Sequence, residues 1–194
     1  MGHFTIPRLS LRAALLLSLA LVAATAAILL WMGRSPICSC GYIKLWHGGR
    51  NDAETSQHIA DWYTYSHVLH GVIFYWLLWA IFRGRLSVAA RLAVAVLIEG
   101  AWEIFENTSF IINRYRSQTI SLGYAGDSVI NSVSDMLAMI AGFLVAWRLP
   151  AWVTVVLLIA TEAVLLYLIR DNLLLNIVML LYPLEWIRQW QAGG

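Results

Sequence analysis

The chain has 194 residues, of which 60% are apolar and only 12% are charged, and its mean hydropathy is +0.70. Soluble domains are about half apolar and about one quarter charged, so this composition excludes a soluble globular protein and indicates an integral membrane protein. The net charge of +2 is small and the chain has no basic tract, which argues against a nucleic-acid partner.

The apolar residues form long unbroken runs, which predict membrane-spanning helices rather than strands of alternating polarity. We therefore predict an all-α helical bundle in the lipid bilayer, with residues 1–194 as a single membrane domain. The five spans are expected at residues 13–32, 62–82, 87–107, 128–147 and 152–169.

The first apolar segment has features of a secretory signal peptide. Arg8 and Arg12 precede it, and Ala24-Thr25-Ala26 fits a cleavage site. However, the apolar run continues to Trp31 and is long enough for a full crossing. We therefore predict an uncleaved membrane anchor.

The C-terminal segment, residues 172–190, is harder to assign to the membrane. Its apolar run from Leu173 to Leu181 is too short to cross a bilayer alone, and Pro183 follows it. We predict one amphipathic helix that lies at the interface or is half inserted. If the helix continued through Trp190, it would form a sixth span.

The distribution of arginines predicts the orientation of the chain. Arg8 and Arg12 lie before the first span, while Arg83, Arg85 and Arg91 surround the short turn between the second and third spans. Basic residues in short loops mark the cytoplasmic side of a membrane protein. The N-terminus is therefore expected in the cytoplasm, with the two longer polar loops on the outer side of the membrane.

The third span contains carboxylates where a membrane crossing is normally apolar. Glu99, Glu103 and Glu106 are spaced four and three residues apart, so they lie on one face of a helix. Ionisable residues inside a bilayer are costly, and by default they mark a functional site. We expect this face to point into the protein rather than toward lipid.

Ionisable residues of the other spans are predicted at a similar depth. With a rise of about 1.5 Å per residue, His67 and His70 of the second span lie roughly 7–12 Å from its outer end. Asp127 and Asp135 share one face of the fourth span, and Glu162 of the fifth span reaches roughly 10 Å below its outer end. We therefore predict one polar pocket in the outer half of the membrane.

Histidines and carboxylates in one pocket predict a metal or an acid–base site. A mixed nitrogen and oxygen ligand set suits zinc, manganese or iron rather than copper(I). The candidate metal ligands are His67, His70, Glu99, Glu103 and Asp127. The candidate catalytic residues are His67, His70, Glu103 and Asp135, and without a metal a histidine would be the general base.

Three functions fit these residues. The first is an enzyme, such as a metal-dependent hydrolase or transferase acting on a lipid-linked or envelope substrate. The second is a small proton- or cation-coupled transporter with Glu99, Asp135 and Glu162 as a relay, although the chain shows no inverted repeat. The third is a non-catalytic assembly subunit, in which the polar network only holds the helices together.

The first polar loop, residues 33–61, contains Cys38-Ser39-Cys40. In an oxidising compartment the two thiols can form a disulfide or pair with another protein. Together with His47 or His58 they could instead bind zinc, but a single Cys-x-Cys is weak support for such a site.

The second polar loop contains Arg114 and Arg116. One interpretation is that these arginines bind a lipid phosphate. The other is that their side chains extend along the interface and keep only the charged ends in water.

Several motifs together resemble one bacterial family of multi-pass inner-membrane proteins, uncharacterised protein family 0314, which is also domain of unknown function 2585. The motifs are Pro36-Ile37-Cys38-Ser39-Cys40-Gly41, Ser56-Gln57-His58-Ile59-Ala60-Asp61-Trp62-Tyr63, Ser66-His67-Val68-Leu69-His70-Gly71, Trp102-Glu103-Ile104-Phe105-Glu106-Asn107, Arg114-Tyr115-Arg116, Gly126-Asp127-Ser128, Asn131-Ser132-Val133-Ser134-Asp135 and Arg170-Asp171-Asn172. The resemblance extends from about Gly33 to Gln191 and implies a multi-pass plasma-membrane protein. It implies no particular activity, substrate or cofactor.

A more distant likeness is to VanZ-like membrane proteins. It consists of a histidine near the start of one span, a glutamate in the next and a Gly-Asp…Asp pattern that opens another. This likeness implies a role in envelope or lipid chemistry, and it assigns no role to any single residue.

Overall fold

A computed structural model of the chain describes residues 9–83 and 85–193, and all the regular elements among them are helices. The helices are α1 (Leu11–Trp31), α2 (Thr64–Phe82), α3 (Val88–Glu106), α4 (Ser109–Gln118), α5 (Val129–Arg148), α6 (Ala151–Ile169), α7 (Leu173–Leu181) and α8 (Glu185–Ala192). The predicted all-α class is confirmed.

Four of the described helices, α1, α2, α5 and α6, are long and apolar enough to cross a membrane. Helix α3, the predicted third span, has 19 residues but carries Arg91 and three glutamates. Arg91, Glu99 and Glu103 are buried among the neighbouring helices. The bundle therefore encloses these charges of α3, as expected for ionisable groups at membrane depth. The predicted orientation remains a prediction, and Arg8, on which it partly depends, lies outside the described residues.

Short polar side chains begin most of these helices. The side-chain oxygen of Ser128, for example, accepts a hydrogen bond from the backbone N–H of Asn131 at the start of α5. Such a cap satisfies one of the N–H groups that the first turn of a helix leaves unpaired. Ser10, Ser87, Thr108 and Asn172 cap α1, α3, α4 and α7 in the same way.

Two parts of the fold differ from the prediction. The second polar loop contains the helix α4, which begins at its N-cap Thr108. The C-terminal segment forms two helices rather than one, because the chain is non-helical at Tyr182 and Pro183 has no N–H with which to continue a helix. Helices α7 and α8 have nine and eight residues, so neither is long enough to form a sixth span.

Helices α2 and α5 pack against each other more extensively than any other pair of described helices. They run in the same direction, since the start of α2 lies beside the start of α5. Glycines allow this close approach. A Cβ atom added at Gly71 would collide with the backbone of Met139, and one added at Gly142 would collide with the backbone of Val68. One turn further along, the rings of Tyr75 and Phe143 meet edge to face. Helix α3 runs in the opposite direction along the same pair.

Helix α7 is held at its start by α6 and by the turn before it. The Glu162 carboxylate accepts hydrogen bonds from the N–H groups of Leu173 and Leu174, both at 3.0 Å. Asp171, which is buried, accepts hydrogen bonds from the Tyr63 hydroxyl and the Gln191 side-chain amide. These contacts fix α7 against α2, α6 and α8.

The close approach of α2 and α5 predicts that Gly142→Ala destabilises the protein by about 1–3 kcal/mol, because the added methyl group meets backbone that cannot move aside. The measurement is thermal unfolding of the purified protein in detergent. Gly123→Ala is the matched control, since an added Cβ there has no neighbour within 4 Å. An equal effect of the two substitutions would contradict the proposed role of Gly142.

A second prediction concerns the pH dependence of stability. Burial raises the pKa of Asp171 to about 6, although hydrogen bonds such as the one from Tyr63 oppose the shift. Because the folded state binds this proton more tightly than the unfolded chain, the contribution of Asp171 to stability is greatest below about pH 4. It falls by about 2–3 kcal/mol as the pH rises to about 7.

The test compares Asp171→Asn with the unchanged protein by thermal unfolding between pH 4 and pH 7. The asparagine variant should gain stability relative to the unchanged protein as the pH rises, because it lacks the titrating group. A constant difference over this range would show that Asp171 has an ordinary pKa.

Candidate functional site

A cavity of about 340 Å³ lies where α2, α3 and α5 meet, and it is closed by two loops and by α7. Its polar end is lined by His67 and His70 of α2, Glu106 of α3, and Asp127 and Asp135 at the start of α5. The roof loop, which we define as residues 33–61, covers this end through residues 51, 52, 55 and 56.

The deepest group of the site is the Glu99 carboxylate, which is fully buried. The Nδ1 atom of His67 lies 2.6 Å from its Oε1, and the Nδ1 atom of His70 lies 3.1 Å from its Oε2. The histidines are three residues apart on α2, so both imidazoles reach the same side of the helix. The contacts with Glu99 show that this side of α2 faces the glutamates of α3.

Two further carboxylates approach His67. Glu103 Oε1 lies 3.4 Å from its Nδ1, and Asp135 Oδ2 lies 3.8 Å from its Nε2. Both oxygens of Glu103 and one oxygen of Asp135 are buried and receive no hydrogen bond from any residue that the structure describes. Buried polar atoms are nearly always paired, so these three oxygens are candidates for binding a cation or a polar ligand.

Tyrosines surround the upper part of the site. The Tyr115 hydroxyl donates to Glu106 at 2.9 Å, and the Tyr124 hydroxyl donates to Asp127 at 2.8 Å. Asp127 also accepts a hydrogen bond from the Asn107 amide. Burial raises the pKa of Asp127 above its ordinary value, and the hydrogen bonds from Tyr124 and Asn107 oppose that shift. Asp127 is therefore well satisfied by its neighbours, in contrast to Glu103.

The structure brings five of the predicted site residues to one centre, namely His67, His70, Glu99, Glu103 and Asp135. Asp127 lies higher in the same cavity. Glu162, expected at the same depth, is not part of this group because its carboxylate caps α7.

The two arginines of the second loop are engaged with the backbone. Arg114 donates to the carbonyls of Leu180 and Leu181 at the end of α7, and Arg116 donates to the carbonyl of Tyr124. Their assignment as ligands of a lipid phosphate stays a prediction.

Sequence reasoning left most of the lining residues out of the candidate site, among them one glutamate and three tyrosines that contribute polar groups. Glu106 follows Glu103 by three residues, and this spacing on the polar face of α3 was the signal that could have added it. Tyr63, Tyr115 and Tyr124 belong to loops or to the short helix α4, and no sequence periodicity links them to the site.

The roof loop contains a second group of ionisable side chains. Glu54 accepts hydrogen bonds from Lys44, His58 and Tyr42, and these contacts lower its pKa to about 2. Cys38 and Cys40 form a disulfide, so their thiolates are not free to bind a metal. The charges of this group are thus paired with each other. The Lys44 ammonium occupies the position beside the Glu54 carboxylate that a metal cation would need.

The geometry of the main site fits a divalent cation. Three ligand atoms of His67, His70 and Glu99 lie within 4.8 Å of one another, and so do three atoms of His67, Glu103 and Glu106. Two histidines with one glutamate form a ligand set of known catalytic zinc sites, in which water takes the remaining position. The same groups without a metal can bind and transfer a proton.

Residues 29–193 match the family described as "Protein of unknown function (DUF2585)". The chain is 59% identical over 174 residues to a UPF0314 protein of Paracoccus denitrificans, an alignment that covers 89% of this chain and 90% of the relative. It is 55% identical over 179 residues to a UPF0314 protein of Sphingopyxis alaskensis, covering 92% and 95%. No solved structure matches the chain significantly. The likeness to VanZ-like proteins stays a prediction.

The contrast between Glu99 and Glu103 gives a third prediction. In metal-free buffer with a chelator, Glu99→Gln should lower the free energy of unfolding by about 2–3 kcal/mol, because it disrupts charge-assisted hydrogen bonds to both histidines. Glu103→Gln should leave stability unchanged or raise it, because a buried carboxylate without a donor is unfavourable.

Thermal or chemical unfolding in detergent measures both effects. The two substitutions lie four residues apart on one helix and remove the same charge, so each is a matched control for the other. Equal destabilisation by both would show that Glu103 belongs to a structural network.

Proposed function

The chain belongs to the DUF2585 family, and we propose that its buried histidine–carboxylate cluster binds a divalent metal ion and hydrolyses a lipid-linked or envelope substrate within the membrane. The observation that carries this proposal is a set of three buried carboxylate oxygens of Glu103 and Asp135, beside His67, that accept no hydrogen bond from any described residue. A purely structural network would satisfy its buried oxygens, whereas a ligand site keeps them free for the ligand.

The metal ligands in this proposal are His67, His70 and Glu99, with Glu103 completing the set. A divalent cation would replace the protons that the two imidazoles share with Glu99, because metal ligands must be deprotonated. Zinc and manganese both accept such a mixture of nitrogen and oxygen ligands. Asp135 lies 3.8 Å from Nε2 of His67 and would orient that ring as a supporting carboxylate.

The chemistry follows from these positions. A metal held by these residues would lower the pKa of a water molecule and polarise the carbonyl of an ester or amide substrate. Glu106, which lines the cavity and is not one of the proposed ligands, takes a proton from the attacking water, whose oxygen forms a bond to the carbonyl carbon. The same proton then passes to the leaving oxygen or nitrogen as its bond to that carbon breaks. The cavity gives such a substrate direct access to His67 and His70.

The relay function receives less support from the geometry. In that hypothesis Glu99, Asp135 and Glu162 pass a proton or a cation along the bundle. Glu162, however, accepts two backbone hydrogen bonds at the start of α7, which leaves it engaged in a cap. A relay through the remaining two groups would end inside the protein.

The location of the site in the cell is part of the proposal. The arginines near the start of the chain and around the turn between α2 and α3 favour a cytoplasmic N-terminus. The cluster then lies in the outer half of a bacterial inner membrane, beneath the roof loop. A substrate in the outer leaflet would be within reach.

A metal titration is the fourth prediction. Zinc or manganese added to purified, chelator-treated protein should bind and raise the unfolding temperature, since a ligand at 100 times its Kd stabilises the folded state by about 2.7 kcal/mol. His67→Ala and Glu103→Gln should each weaken binding, because each removes one proposed ligand. Binding is measured by elemental analysis and calorimetry.

Glu162→Gln is the matched control, because it neutralises a carboxylate of the bundle outside the cluster. This variant should retain the metal affinity of the unchanged protein. The proposal fails if the unchanged protein binds no divalent metal, or if all three variants lose affinity equally. Proton flux into vesicles that Glu162→Gln abolishes would favour the relay.

A further inference from the structure

The cavity has a second end that is almost entirely apolar. Seven of its lining side chains are aliphatic or apolar aromatic, and they come from three helices. They are Ile73 and Phe74 of α2, Ile98 and Trp102 of α3, and Leu173, Ile177 and Leu180 of α7. The polar end with its histidines and carboxylates therefore continues directly into an apolar groove between α2, α3 and α7.

This groove opens to the side of the bundle. Ile73, Ile98 and Ile177 each come from a different helix and are 36%, 38% and 45% exposed. Helix α2 is long and apolar enough to cross a membrane, so the exposed side of the groove faces the hydrocarbon of the bilayer. A molecule that reaches the histidines through this opening comes from the lipid phase.

Helix α7, which forms one wall of the groove, is fixed at both ends by polar contacts. Glu162 caps its first turn, and the Arg114 guanidinium binds the carbonyls of Leu180 and Leu181 at its last turn. A nine-residue helix that is too short to cross the bilayer is thus held beside the cavity at defined positions. The contacts at the two ends of α7 therefore determine the position of this wall of the groove.

The charge of the polar end restricts what the headgroup of such a lipid can be. Asp52, Glu106, Asp127 and Asp135 line the cavity, and none of its described lining residues is a lysine or an arginine. A phosphate monoester or another strongly anionic headgroup would be repelled by these carboxylates. Aromatic rings such as those of Tyr63 and Tyr115 suit an uncharged or cationic group.

We propose that the cavity binds one bilayer lipid from the side, with an acyl chain in the groove between α2, α3 and α7 and a headgroup without net negative charge beneath the roof loop. The conversion of this lipid rests on the proposed hydrolase function, whereas its binding does not require a metal. The substrate class is accordingly an uncharged, zwitterionic or cationic lipid ester or amide.

The fifth prediction tests the binding of the lipid's acyl chain in the groove. The full-length protein is reconstituted in phosphatidylcholine vesicles with a chelator, together with a phosphatidylcholine that carries a photoreactive diazirine on one acyl chain. After illumination, mass spectrometry should find adducts concentrated on the groove residues of α2, α3 and α7. Ile177→Trp should lower the yield of these adducts by about tenfold, because the indole fills the mouth of the groove.

Leu157→Trp is the matched control, since Leu157 is a similarly exposed apolar residue on α6, away from the groove. This variant should keep the adduct yield at the groove. Adducts spread evenly over the exposed faces of α1, α6 and the groove would overturn the proposal, as would insensitivity of the groove adducts to Ile177→Trp.

A competition experiment tests the headgroup. In detergent micelles whose only phospholipid is the photoreactive phosphatidylcholine, unlabelled diacylglycerol, phosphatidylcholine and a trimethylammonium lipid with the same chains should reduce the groove adducts, while phosphatidic acid should compete at least about tenfold more weakly. Equal competition by phosphatidic acid would overturn the headgroup assignment. Because a chelator is present throughout, a failure of metal binding leaves this result intact, and a failure of lipid binding leaves the metal titration intact.

Discussion

The fold depends on a fully buried carboxylate that faces two imidazoles. Glu99 is inaccessible to solvent, and His67 and His70 both direct Nδ1 toward it. An isolated charge in such surroundings would be prohibitively costly, so α2 and α3 must stay in register for the protein to fold. The glycine contacts of α2 with α5 hold α5 against the pair formed by α2 and α3. Asp135 then lies near the opposite nitrogen of His67.

Stability and chemistry make different demands on neighbouring residues of α3. Glu99 is paired with two donors, whereas the oxygens of Glu103, one helical turn away, accept no hydrogen bond from the described residues, although one of them lies 3.4 Å from Nδ1 of His67. A protein selected for stability alone has no reason to retain the second arrangement. We therefore interpret the combination of these two carboxylates as support for the proposed binding site rather than for polar side chains that only join helices.

Much of this arrangement follows from the sequence because membrane helices are long and apolar. Depth along a helix converts to residue number at a fixed rise, and this relation was enough to bring His67, Glu99 and Asp135 together. Depth does not determine the direction in which a side chain points around its helix. Glu162 has the expected depth but faces the start of α7. The short helix α4 has no long apolar run to reveal it, whereas the break before α8 has a sequence signal in Pro183.

The roof loop has a consequence for the order of synthesis. Its backbone carbonyls at Ser35, Pro36 and Ser56 accept the first N–H groups of α5 and of its cap, and Gln57 and Ser128 are 71 residues apart in the chain. During translation the loop emerges long before these partners exist. It must therefore remain on its side of the membrane, with the polar end of the cavity open, until α5 has been inserted. The roof loop thus closes the polar end of the cavity late in the biogenesis of the protein.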